Sequence, residues 1–188
     1  MTKARTLADF DSSSINASVL TGTLPALNGS ALTNLPAGGE INSPYFNGQK
    51  VSDQTITRNT MTTVTGFTNG EIDSDSAFDG TTFTVPSGKA GVYFFSASIV
   101  NNFASIGSDG ERILVAFRKN NSNSNVPESD FTKGSGYNIQ RYTGTITAVL
   151  SMAEGDTMEV SVYNKDGDAS GNAEVTTNSF FMGYRIKE

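Results

Sequence analysis

Gly91-Val92-Tyr93-Phe94-Phe95-Ser96-Ala97-Ser98-Ile99-Val100 is the stretch on which the fold turns. It is rich in aromatic and β-branched residues and contains no proline. Such side chains fit a pleated, half-buried surface. Neighbouring residues of a strand point to opposite faces, so the run Tyr93, Phe94, Phe95 puts apolar bulk on both sides. One side can enter the domain's own core. The other is covered by a second subunit, or it is buried because the strand is central in a thick sandwich.

The same grammar continues outward. Strands are expected at about residues 50–64, 81–85, 91–101, 112–120, 141–151, 157–164 and 179–187. Ile113, Val115 and Phe117 alternate with Leu114, Ala116 and Arg118, and Met158, Val160 and Val162 alternate with Glu159, Ser161 and Tyr163. Turn clusters separate these runs: Phe78-Asp79-Gly80, Pro86-Ser87-Gly88, Ser108-Asp109-Gly110, Glu154-Gly155-Asp156 and Asp166-Gly167-Asp168. No segment keeps a 3.6-residue period without a breaker. Many short strands with regularly spaced turns predict an all-β sandwich or barrel. Phe180-Phe181-Met182-Gly183-Tyr184-Arg185-Ile186, near the C-terminus, is the second strand apolar on both sides.

Composition narrows the chemistry. The chain of 188 residues has no Cys, no His and no Trp. That excludes disulfides, thiolate or imidazole metal sites, cysteine nucleophiles and a Ser-His-Asp triad. A net charge of −6 argues against sequence-independent nucleic-acid binding. No run of about 18 apolar residues occurs, so no membrane-inserting helix is expected. The first residues, MTKARTLADF followed by DSSSINAS, lack the apolar core of a secretory signal, so synthesis in a cytosol is expected.

The chain changes character near residue 45. From Ser12 to Gly39 there are 28 consecutive uncharged positions, studded with Leu24, Leu27, Leu32 and Leu35. Leu24-Pro25-Ala26 recurs as Leu35-Pro36-Ala37, and the prolines deny the segment a long helix. Such a stretch cannot build a core alone. It is either a flexible linker or an extended stalk in which several copies intertwine and bury the leucines between chains. Lys3, Arg5, Leu7 and Phe10 form a short tag ahead of it, read as a disordered end or as a peptide that docks on a larger particle.

"ARTLADF" followed by "GTLPALNGSALTNLPAGG" resembles the N-terminal and shaft segments of bacteriophage tail-fibre and other virion-fibre proteins. A second resemblance covers roughly residues 46–188. Phe83-Thr84-Val85-Pro86, Gly88, Gly91-Val92-Tyr93-Phe94-Phe95, Glu154-Gly155-Asp156 and the terminal Phe180-Phe181-Met182-Gly183-Tyr184 resemble the globular head of complement component one q. That head shares a ten-stranded jelly roll with tumour necrosis factor. The resemblance implies an antiparallel jelly-roll sandwich of about ten strands that assembles as a trimer. The long Asn121–Gly136 loop departs from the family pattern, and no family ligand or metal residue carries over.

These readings assign candidate residues. Tyr93, Phe95, Phe180, Met182 and Tyr184, with Leu24, Leu27, Leu32 and Leu35, are expected at a homotrimer interface. Lys3, Arg5, Leu7 and Phe10 are expected to anchor the chain on another virion protein. Phe131, in the Asn121–Gly136 loop, with Tyr137 and Tyr142, is expected to supply aromatic contacts to a host cell-surface receptor or glycan. Asn164, Asp166 and Asp168 alternate like oxygen ligands of a cation loop, but Ala169 and Val175 stand where Gly and Glu are needed, so no cofactor is expected. Paired carboxylates could in principle hydrolyse a glycan, but the chain lacks the tryptophan platforms of such grooves, so no enzyme is expected. The expected organisation is an anchor at 1–11, a stalk at 12–44 and a jelly-roll head at 45–188, in a non-enzymatic virion fibre. Two other readings stand beside it: a capsid or neck decoration fibre, and a bacterial ligand-binding module of the complement-head type.

Overall fold

A computed structural model describes residues 42–68, 72–103, 112–122, 126–132, 141–165 and 173–187. The chain divides into two units, Met1–Gly38 and Gly39–Glu188, and all the described residues belong to the second. Among them are eleven strands: β1 (Tyr45–Gln49), β2 (Gln54–Ile56), β3 (Met61–Thr63), β4 (Thr82–Thr84), β5 (Gly91–Phe103), β6 (Arg112–Lys119), β7 (Glu128–Thr132), β8 (Arg141–Met152), β9 (Thr157–Lys165), β10 (Ala173–Val175) and β11 (Phe180–Lys187).

The strands form two antiparallel sheets. In the first, β1 pairs β11, β11 pairs β5 and β5 pairs β8, while β10 joins the far end of β5 and carries β2. In the second, the order is β3-β9-β6-β7, with β4 also on β9. Strands distant in sequence lie side by side, and consecutive strands such as β5 and β6 cross between sheets. This is the connectivity of a jelly roll, as expected.

The alternation expected for β6 and β9 holds. Ile113, Val115, Phe117, Met158, Val160 and Val162 all sit in the core between the sheets. The expected strand at 50–64 is instead two short strands, β2 and β3. The sequence reading also passed over β1, β7 and β10, which are only three to five residues long. Asn120 and Asn121 both take positive φ, 51° and 64°, closing a two-residue turn from Lys119 to Ser122. Asparagine tolerates that left-handed backbone, and the turn's twist matches the strands it joins.

The centre of the core is aromatic. The Phe46 ring lies 4.5 Å from Phe78, 5.0 Å from Phe83 and 4.9 Å from Phe181, centroid to centroid. These offset and edge-on contacts add to the burial itself. Gly183 makes room for them. A Cβ there would stand 2.5 Å from Phe95 Cδ1 and 2.9 Å from Phe46 Cε1.

Candidate interaction face

In an antiparallel pair, directly opposed residues share a face. The register of the first sheet therefore defines rows across its outer surface. Tyr45, Tyr184, Phe94 and Val149 make one row over β1, β11, β5 and β8. Asn47, Met182, Ser96 and Thr147 make the next, and Gln49, Phe180, Ser98 and Thr145 the third. None of these side chains is charged. Charge returns only at the strand ends, with Lys187 opposite Val92 at one end and Arg141 and Glu174 beside Asn102 at the other.

The first row is the apolar one. Phe94 and Tyr184 pack at 5.2 Å between centroids, tilted by 35°. Val149 is 63% exposed and Ile186 44%. Tyr45, Phe94 and Tyr184 are half-buried in the single chain, and with Val149 they make an apolar row that is a candidate interaction surface. Absence of charge points the same way, because charged residues are depleted at interface centres.

Two expected interface residues do not belong to this face. Tyr93 and Phe95 are fully buried in the domain's own core, at 0% exposure. Phe95 opposes Gly183 and Tyr93 opposes Arg185, whereas Phe94 opposes Tyr184. Phe180, Met182 and Tyr184 face outward, half-buried, as the sequence suggested. Phe94, Val149 and Tyr45 are the outward residues that sequence reasoning missed. A signal for Phe94 was present: Tyr93, Phe95, Ala97 and Ile99 run apolar on one side of β5, while Phe94, Ser96 and Ser98 become polar on the other.

The expected contact loop also differs. Phe131 lies on β7, inside the span read as a loop. It opposes Ile113 and so faces between the sheets. Its ring stacks on Tyr142 at 5.0 Å and 26°. Tyr142 OH lies 2.8 Å from Ser129 Oγ, joining β7 to β8 across the sandwich edge. Both rings are half-buried, so they hold the two sheets together more than they offer a surface. Asn164, expected on an exposed turn, is 7% exposed and opposes the core residue Ile113. No group of three or more acidic residues among the described residues could hold a metal. Tyr137, Asp166 and Asp168 lie outside the described residues, as do Lys3, Arg5, Leu7, Phe10, Leu24, Leu27, Leu32 and Leu35.

Polar networks close the end of the sandwich where β5 begins. Asp75 Oδ2 accepts hydrogen bonds from Ser43 Oγ and Ser74 Oγ, both at 2.6 Å. Burial pushes the Asp75 carboxyl up, but those hydroxyls and Lys89 outweigh it, and its pKa falls below the usual carboxylate range. Tyr93 OH donates to Lys89 O at 2.5 Å, and burial raises the phenol to about 12. Nearby, Lys119 Nζ and Asn120 Nδ2 donate to Asp156, which also accepts from Ala153 N. The Lys119 hydrogen bond is the chief cause that lowers Asp156 to about 2. These groups are satisfied within the domain and serve structure.

The sandwich and its strand order define a jelly-roll domain. Solved structures share it: the globular domain of zebrafish complement 1qA protein is 16% identical, with 77% of this chain and 98% of that one covered at a TM-score of 0.50. An Eiger tumour necrosis factor from S. frugiperda is 12% identical, with 77% and 92% covered at 0.51. At such identities the likeness is one of fold. No protein-family model and no curated protein matches the chain.

Proposed function

We propose that this chain is a non-enzymatic structural protein of a bacteriophage virion, a short homotrimeric fibre. Residues 1–11 attach it to another virion protein, 12–44 form an intertwined stalk, and 45–188 form a head that meets a host cell-surface receptor or glycan. The observation that carries the reading is the outer face of the first sheet. Its row of Tyr45, Tyr184, Phe94 and Val149 is apolar, and the two rows that follow it toward Gln49 carry no charge, while Lys187 stands beside Val92 one row beyond it on the other side. Copies of the chain packed around a closed rotational axis cover that row without leaving a sticky patch free to propagate. The uncharged Ser12–Gly39 stretch supports the same assembly, because its leucines gain a core only when chains share one. The likeness of the head to complement 1qA and Eiger tumour necrosis factor is compatible with a domain that binds rather than catalyses.

Labelling purified phage particles with an antibody raised against residues 45–188 tests the assignment. Label at tail tips supports the tail-fibre reading, and a variant lacking residues 1–11 then leaves particles unlabelled. Label on the capsid or neck replaces it with a decoration fibre. Particles that never carry label contradict a virion protein altogether.

A further inference from the structure

At the opposite end of β11 from Tyr184, the chain makes a recess of about 230 Å³ lined by Gln49, Thr177, Asn178, Ser179 and Phe180. We propose that this recess binds a single neutral sugar unit of a glycan. The inference rests on the host-contact reading above and supplies the ligand chemistry for it.

Gln49 and Phe180 are direct cross-strand partners, so both side chains stand on the outer face. The turn that supplies the other lining residues is pinned by its backbone. Thr177 N donates to Asp53 Oδ1 at 3.1 Å, Ser179 N to Thr176 O at 3.1 Å, and Lys50 N to Ser179 O at 2.9 Å. Ser179 Oγ is taken by Val100 N at 2.9 Å. No hydrogen bond among the described residues uses the side-chain amides of Gln49 and Asn178, and both residues are exposed with Thr177. A rigid rim thus presents two planar amides and a hydroxyl beside an aromatic residue. Amides of this kind donate to one sugar hydroxyl and accept from the next, while an aromatic ring packs on the apolar CH face of a pyranose. No charged side chain lines the recess, which disfavours phosphate, carboxylate and cation ligands. The volume holds one ring, and each neutral hydrogen bond contributes about 1 kcal/mol, so weak millimolar binding per site is expected. From Tyr45 to Gln49 is four strand steps, about 14 Å, so the recess lies two rows from the apolar row on the same outer face.

The test is saturation-transfer NMR on the full chain with D-galactose, D-mannose and N-acetylglucosamine, and with sialic acid as the anionic control. Transfer to at least one neutral sugar is expected, with none to sialic acid. Asn178→Ala and Gln49→Ala, both on exposed side chains, should each reduce the apparent affinity by about tenfold. Absence of transfer to all three neutral sugars, or transfer unchanged in both variants, overturns the proposal. Light scattering on the same samples separates the two readings. Trimer mass without a sugar signal overturns the recess alone, and a sugar signal at single-chain mass overturns the assembly alone.

Discussion

On the outer surface of the β3-β9-β6-β7 sheet, Arg112 pairs with Asp130 at 2.7 Å and Arg118 with Glu159 at 3.3 Å. Thr63 Oγ1 adds a hydrogen bond to Glu159 at 3.2 Å. Beneath these long side chains the small Ala116 and Ser161 are fully buried. On the outer surface of the β1-β11-β5-β8 sheet the equivalent positions hold Phe94, Met182, Tyr184 and Val149. The first surface covers itself, with paired charged side chains whose apolar stems lie over the strands. The second has no such cover. Two faces of one sandwich, built on the same alternation, are finished differently: one is covered by its own paired charged side chains, and the other leaves apolar side chains without such cover.

The largest expected effect comes from charging the apolar row. Phe94→Arg should turn the assembly into single chains with an unchanged far-ultraviolet β spectrum, because the guanidinium would be desolvated without a partner. Arg112→Ala on the other face should leave the mass in solution as it was. If Phe94→Arg keeps the wild-type mass, the apolar row is not a contact between copies of the chain.

Next in size is the contrast between neighbours on β5. Phe95→Ala empties part of the aromatic core and should cost about 3–5 kcal/mol in urea unfolding. Phe94→Ala, measured below the assembly concentration, should cost much less. Equal losses would contradict the assignment of Phe95 to the core and Phe94 to the surface.

Gly183→Ala should cost about 1–3 kcal/mol, read as a lower Tm, since its methyl would meet Phe95 and Phe46. An unchanged Tm would mean that the rings yield and the packing is looser than described.

The smallest effects concern ion pairs at the surface. Asp156 titrates at about 2 in the folded chain, below its unfolded range near 3.9. Its contribution is therefore present above about pH 4 and is lost as pH falls through 2. Asp156→Asn should remove that part of the acid dependence, within the ~1 kcal/mol of exposed pairs. Identical acid profiles for wild type and variant would show that the Lys119–Asp156 pair contributes nothing.

Much of the head was legible in the sequence because its long strands alternate cleanly. β5, β6, β8, β9 and β11 announce themselves through residues such as Ile113, Val115 and Phe117. The short strands were not legible. β10 offers only Ala173, Glu174 and Val175, and its pairing with both β2 and β5 is a tertiary fact with no local signal. The candidate face was legible in part. Phe180, Met182 and Tyr184, expected at a subunit interface, stand on the outer face, whereas Tyr93 and Phe95, expected beside them, are in the core and Phe94 takes the outer position. A run of three aromatics does not by itself say which side is inner. The longer alternation through Ala97 and Ile99, and the glycine opposite Phe95, decide it. The recess at Gln49 escaped because its lining comes from two strands and a turn distant in sequence.

The most direct test is the mass of the intact wild-type chain in solution, by size-exclusion chromatography with light scattering at micromolar concentration. The account predicts three times the chain mass of 19.9 kDa. A stable particle at the single-chain mass would contradict it.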